Sequence, residues 1–150
     1  MGTGLDVIIV DDEPDIVELL SGIINSFYTW GEVFVFTNVD EAIEYCLLRD
    51  PGIAIFVVDV FLGEKSGFIF LDSIAEKFTS AHEDAIMITG HASNDIVDMC
   101  EGSNIHYLLE KPLRPYALQM SVRAIAMKYL KFAKKVMKDS AFAACISRVE

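Results

Sequence analysis

The sequence predicts a doubly wound α/β domain in which five parallel strands alternate with five helices. Three observations point there. Short, continuous, β-branched apolar runs at Val7–Val10, Ile53–Val58 and Ala85–Ile88 have the composition of strands buried on both faces of a parallel sheet. Between them lie helix-length stretches with apolar residues at steps of three and four. The runs also end in polar groups capable of chemistry, Asp11-Asp12, Asp59 and Thr89. Open α/β sheets bind ligands outside the carboxyl ends of their strands.

In chain order, the first strand runs into Asp11-Asp12, and Glu13-Pro14 opens a helix, proline being suited to the first helical turn. Ile16, Leu19, Leu20, Ile23 and Phe27 form its apolar stripe, and Trp30-Gly31 ends it. Val33–Phe36 reads as an edge strand. Asn38 with Glu41 forms a capping box, and Val39, Ala42, Ile43, Cys46 and Leu47 line the next helix. Asp50-Pro51-Gly52 stops it before the Asp59 strand. The loop 60–67 leads to a helix carrying Leu71, Ile74, Ala75 and Phe78. After the Thr89-Gly90-His91 strand end, Ser93 caps a short helix reaching Cys100. Ile105–Leu109 is the fifth strand, ending in Glu110-Lys111-Pro112, and a final helix starts near Pro115. The crossovers are expected to be right-handed.

At 150 residues the chain is long enough for one domain with a real core. Residues 1–110 hold 21 Asp/Glu against 3 Lys/Arg, net −18, whereas residues 111–150 hold 9 Lys/Arg against 2 Asp/Glu, net +7. An acidic body argues against nucleic acid as a partner. No stretch reaches membrane-spanning length and no secretory signal is visible; Met1-Gly2 is discounted as a myristoylation site because position six is Asp6. Cys46, Cys100 and Cys145 show no paired spacing and read as reduced thiols of a cytoplasmic protein. His82, His91 and His106 lack metal-ligand spacing and read as structural or surface residues.

Asp11, Asp12 and Asp59 at neighbouring strand ends would repel strongly, by about 4 kcal/mol for a pair about 4 Å apart at an effective dielectric near 20. A hard divalent cation such as Mg2+ is the natural neutraliser. Thr89 and Lys111 fall at the same end of the sheet. A metal-binding acid cluster, a carboxylate nucleophile, a hydroxyl donor and a cation together suit phosphoryl transfer.

This pattern resembles the receiver domain of two-component response regulators, including the stand-alone chemotaxis type. The matching residues are Val10-Asp11-Asp12-Glu13-Pro14, the strand ending in Asp59 with Gly67 eight positions on, Ile88-Thr89-Gly90-His91, and Lys111-Pro112. The resemblance covers residues 5–131 and implies the flavodoxin-like strand order 2-1-3-4-5. It implies Asp59 as phosphoacceptor from a sensor histidine kinase or phosphotransfer protein. It implies Mg2+ held by Asp11, Asp12, Asp59 and the backbone carbonyl of Phe61. Thr89 and Lys111 would each engage a phosphoryl oxygen, and the peptide before Pro112 would be cis. The only enzyme-like acts are self-phosphorylation and slow autodephosphorylation.

Three departures stand out. Leu108 occupies the place where receivers usually carry an aromatic, and Tyr107 faces the other side of the strand and cannot substitute. Leu62-Gly63 replaces the usual Met-Pro. Phe61 and His91 place bulky side chains over the site and are expected to hinder water. Asn104, rather than Gly102, is expected to take a left-handed conformation before the fifth strand. Trp30 belongs at the far end of the sheet from the acids.

The domain is expected to span 1–131, with 132–150 a C-terminal helical extension. Leu118, Val122, Ile125, Tyr129, Phe132 and Val136 alternate steps of four and three. The first part of that seam is expected to pack on the sheet, and only Phe132 and Val136 exceed it; the apolar patch Ala141–Ile146 could fold back on the domain, pair with a second copy or begin a linker, and helix extension with a homodimer is the reading favoured. One alternative is a pseudo-receiver scaffold, opposed by the intact Asp11, Asp12, Asp59, Thr89 and Lys111. Another is a phosphatase of the haloacid-dehalogenase type, which lacks here its second Asp because Phe61 takes that place. A dinucleotide-binding reading fails for want of a glycine-rich turn after the first strand.

Overall fold

The computed structural model describes residues 4–147. The Met1-Gly2 start and the last three residues of the extension lie outside the described residues. The elements are β1 (Val7–Val10), α1 (Pro14–Phe27), β2 (Val33–Phe36), α2 (Val39–Leu48), β3 (Ile55–Asp59), α3 (Gly67–Ile74), β4 (Ala85–Thr89), α4 (Asn94–Gly102), β5 (Tyr107–Glu110), α5 (Pro115–Lys138) and α6 (Ser140–Ser147). All sheet neighbours are parallel and the order is β2-β1-β3-β4-β5. The fold class and strand order therefore agree with expectation, with a sixth helix added.

Every residue of β1, β3 and β4 is buried, because helices cover both faces of the sheet. Alternation then sorts the side chains. Ile8, Val10, Phe56, Val58 and Met87 pack with Ala42 and Cys46 of α2, Phe70, Leu71 and Ile74 of α3 and Cys100 of α4. Val7, Ile9, Ile55, Val57, Ile86 and Ile88 pack with Val17, Leu20 and Ile24 of α1 and Leu118, Val122 and Ile125 of α5. Each face is a separate apolar layer, and the helices on it are fixed by burial.

Several local readings shift. The α1 stripe is centred on Val17, Leu20 and Ile24, one position from the reading by spacing, which leaves Leu19 exposed. Helix α3 stops at Ile74, yet Phe78 stays buried against Phe56 at a 5.3 Å ring separation. Between β3 and α3 the loop forms a small antiparallel hairpin, Phe61 opposite Ser66 and Leu62 opposite Lys65, with Gly63 at φ 67°. Asn104 has φ 61°, the left-handed turn expected of it. Asn38 caps α2 by accepting from the Glu41 N–H at 3.0 Å. Trp30 is tied to the start of β1 through the Leu5 N–H, 2.7 Å from its carbonyl, at the end of the sheet away from Asp11.

Helix α5 continues unbroken through Lys138. Leu118, Val122, Ile125 and Tyr129 face the sheet, as expected of the seam's first part. Phe132, however, turns to Phe142 of α6, ring centroids 6.0 Å apart, and Lys135 lies over the same Phe142 ring at 4.8 Å. The chain after Asp139 folds back on its own helix. Tyr129 is more than an apolar contact, since its hydroxyl and the Lys128 ammonium both donate to the buried carboxylate of Asp84 just before β4. Asp84→Ala removes that anchor, and a loss of about 2 kcal/mol is expected in urea unfolding. An unchanged midpoint would show that α5 is held by its apolar face alone.

Candidate functional site

Register builds the site. Val10 of β1 lies opposite Val58 of β3, so the next residues, Asp11 and Asp59, emerge abreast. Both are buried, while Asp12 is exposed. One carboxylate oxygen from each of Asp11, Asp12 and Asp59 lies within 4.8 Å of the others. The Asp11 Oδ1 accepts from the Glu13 N–H at 2.9 Å, and the Asp59 Oδ1 accepts from the Phe61 N–H at 3.0 Å. Lys111 enters from the end of β5, its Nζ 2.9 Å from the Asp59 Oδ2 and 3.9 Å from the Asp11 Oδ2. The Lys111–Pro112 peptide is cis, and so is Asp50–Pro51. A glycine is required at 67, where α3 begins, because a Cβ there would stand 2.5 Å from the Asp59 carbonyl oxygen.

Burial pushes the Asp11 carboxyl up to about 7, and the charge of Asp59 adds to this while the Glu13 N–H and Lys111 oppose it. Burial works against the Lys111 ammonium as well, but its hydrogen bond to Asp59 and the charges of Asp59 and Asp11 prevail, so its pKa is raised. The Asp11 Oδ2 is buried with no hydrogen-bond partner among the described residues. An orphaned oxygen in an all-oxygen cluster of three carboxylates is a donor set suited to a hard divalent cation.

Thr89 ends β4, fully buried. Its hydroxyl is engaged within its own turn, donating to the His91 carbonyl at 3.2 Å and accepting from the His91 N–H at 3.4 Å. The Lys111 N–H donates to the Thr89 carbonyl at 2.8 Å and so joins the two loops. Structure thus brings Asp11, Asp12, Asp59 and Lys111 together directly, with the Phe61 N–H on Asp59, and Thr89 beside them through main chain. Phe61 and His91 are exposed side chains at this end of the sheet. Leu108 packs into the α2–α3–α4 layer and Tyr107 into the α1–α5 layer, opposite faces as expected. Sequence reasoning missed Glu110, whose Oε2 accepts from the Ala92 N–H at 2.9 Å and holds the loop after Thr89. Its only signal was its place next to Lys111.

This fold and site define a phosphoacceptor-type α/β domain, and comparison with known proteins names the class. The family model for the response regulator receiver domain matches residues 7–123. Among similar solved structures, the beryllofluoride-activated NtrC4 receiver domain dimer is 25% identical, with TM-score 0.68 over 83% of this chain and 98% of that one. A response regulator receiver domain protein from Clostridium thermocellum is 17% identical, with TM-score 0.74 over 85% and 98%. The chemotaxis protein CheY4 of Vibrio cholerae is 18% identical, with TM-score 0.71 over 82% and 99%. The chain belongs to the response regulator receiver domain family and is a phosphoacceptor receiver of two-component signal transduction. No helix among the described residues is long and apolar enough to cross a membrane.

In metal-free protein, Asp11 holds its proton more tightly folded than unfolded. Its contribution to stability is therefore present at acid pH and lost as pH rises from 3.8 to about 7. The slope is at most about 1.4 kcal/mol per pH unit. Urea unfolding in chelator should show wild type losing stability relative to Asp11→Asn across that window. A constant difference would mean that Asp11 ionises normally.

Proposed function

We propose that Asp59 is the phosphoacceptor, with Asp11, Asp12, Asp59 and the Phe61 carbonyl holding Mg2+ and with Thr89 and Lys111 binding phosphoryl oxygens. The observation that carries this reading is the Lys111 ammonium seated 2.9 Å from a buried Asp59 that stands abreast of Asp11. One Asp59 carboxylate oxygen attacks phosphorus of a phosphohistidine. The new O–P bond forms as the N–P bond breaks, and the imidazole nitrogen keeps the electron pair. Mg2+, when bound, offsets the repulsion between the anionic nucleophile and the incoming phosphoryl group. Lys111 supplies the second positive charge and shifts from carboxylate to phosphoryl oxygen without leaving the cleft. Thr89 exchanges its bond to the His91 carbonyl for one to the phosphoryl group. No general acid is placed to speed hydrolysis, because Phe61 stands where a phosphatase of similar chemistry needs a second Asp.

The upstream partner is a sensor histidine kinase or phosphotransfer protein of the cytoplasm, and the downstream output is partner binding. Residues 1–131 form the receiver and 132–150 a helical extension that supports a homodimer. Charge on the body argues against nucleic acid as a partner.

Intact-mass analysis after incubation with acetyl phosphate tests the chemistry. A single Mg2+-dependent phosphoryl adduct is expected on wild type and none on Asp59→Ala. No adduct on wild type, even with a phosphorylated kinase as donor, would return the chain to a scaffold role. Lys111→Ala should slow adduct formation by about a hundredfold, within the range set by loss of one positioned charge in phosphoryl transfer.

Phe61 is exposed at the site, where it hinders water from reaching phosphorus. Phe61→Asn should lose the phosphoryl group faster than wild type in a chase without donor. Slower loss in the variant would overturn this role for the ring.

A further inference from the structure

The seam read from the sequence is taken by the sheet from Leu118 to Tyr129, while Phe132 meets Phe142 of α6 and stays 51% exposed. A second seam on α5 is left open. Tyr116, Met120, Arg123, Met127, Leu130, Lys134 and Met137 also alternate steps of four and three, over three heptads. Tyr116 is 71%, Met120 48%, Met127 47% and Met137 85% exposed. Beside it, Phe27 at the end of α1 and Trp30 of the loop after it form an apolar cleft of about 340 Å³ with Arg123, Met127 and Leu130. The Arg123 guanidinium lies 6.0 Å from the Phe27 ring centroid. Scattered exposed apolar residues are ordinary, but five apolar side chains at seven coiled-coil positions along one helix, with the stems of Arg123 and Lys134 between them, form a row.

Charge selects the occupant and its direction. Helix α5 has 24 residues, a length of about 36 Å at 1.5 Å per residue, against 14 residues for α1. Its overhanging end carries Lys131, Lys134, Lys135 and Lys138, all exposed. At the opposite end, where α1 and α5 both begin, exposed Glu13, Asp15 and Glu18 lie just before and in the first turns of α1, opposed by the exposed Arg114 before α5. A parallel pair of α5 helices would set lysine cluster against lysine cluster. An antiparallel pair sets each lysine cluster against the other copy's acids, so the face is self-complementary under a twofold axis.

We infer that the open seam of α5, with Phe27 of α1 and Trp30 of the loop after it, is the face on which a second copy of this chain docks, antiparallel, with the axis near Met127. The inference rests on the homodimer named above and fixes its face and direction; it uses no step at Asp59. With the axis there, Met127 meets Met127 of the second copy, and Tyr116 and Met120 meet its lysine-bearing end. Arg123 packs its stem beside Leu130 of the second copy and keeps its charge on the Phe27 ring.

The test uses the full chain with Cys145→Ser, so that the exposed native thiol does not interfere. Analytical ultracentrifugation should show a dimer, and Met127→Glu should weaken it by about tenfold or more, the change produced by losing one central contact. Because Met127 is half exposed in the monomer, circular dichroism of that variant should be unchanged. Under mild oxidation Met127→Cys should cross-link efficiently and Met137→Cys should not. Efficient cross-linking of Met137→Cys as well as Met127→Cys would keep the homodimer and overturn its direction. A dimer indifferent to Met127→Glu would overturn the face, and a chain monomeric throughout would overturn both face and homodimer. Phosphoryl uptake from acetyl phosphate, measured on the same variants, should be unaffected, which separates these outcomes from any failure at Asp59.

Discussion

Two buried carboxylates side by side are unfavourable unless a positive charge lies within reach, and Lys111 supplies that charge at 2.9 Å from Asp59 and 3.9 Å from Asp11. Much else follows from keeping this contact. The register of β1 on β3 brings the acids abreast. The bond between the Lys111 N–H and the Thr89 carbonyl fixes where the lysine enters. Gly67 lets α3 start hard against the Asp59 backbone. The compensation is incomplete, because burial still leaves Asp11 with a raised pKa and an unpartnered oxygen. The site is thus poised for one more cation rather than neutral by itself.

Most of this was legible in the sequence because the buried strands are unambiguous. Continuous runs such as Ile55–Val58 leave little choice of element, and strand ends in a parallel sheet put Asp11, Asp59, Thr89 and Lys111 on one edge whatever the details. What was not legible depended on choices between near-equal neighbours. Leu19 and Val17 are equally apolar, and only the direction of approach to the sheet decides that Val17 is the buried one. Tyr129 was counted as apolar in a stripe, but its hydroxyl meets Asp84, a pairing 45 residues apart that no local pattern encodes. The small hairpin at Phe61–Ser66 hinges on Gly63 in a left-handed turn within a loop that reads as irregular.

The tail shows a helical pattern that does not by itself name its partner. A four-three repeat does signal a helix with a partner face, but it does not say which partner. On α5 there are two such repeats two positions apart. The better hydrophobic one, Leu118 to Tyr129, is taken by the sheet, as burial of β-branched and leucine side chains would favour. The other is rich in Met, Tyr, Arg and Lys, residues that tolerate water in the monomer and still offer contact area in an assembly.

The absence of an aromatic at position 108 moves attention to how a change at Thr89 leaves the site. Leu108 packs into the α2–α3–α4 layer and has no polar tip to follow the threonine. The loop after Thr89 is instead tied to β5 at two points, the Thr89 carbonyl to the Lys111 N–H and the Ala92 N–H to Glu110. Turning the Thr89 hydroxyl away breaks its two contacts with His91, and Ala92 is the next residue along. Displacement of that turn therefore loads directly on Glu110, whose backbone is covalently joined to Lys111. In the reading proposed above, a phosphoryl group engaging both Thr89 and Lys111 would pull on the two ends of this clamp at once. The surface most affected is the start of α4 beside the end of β5, a polar and exposed region, rather than the apolar pocket that an inward-turning ring would fill.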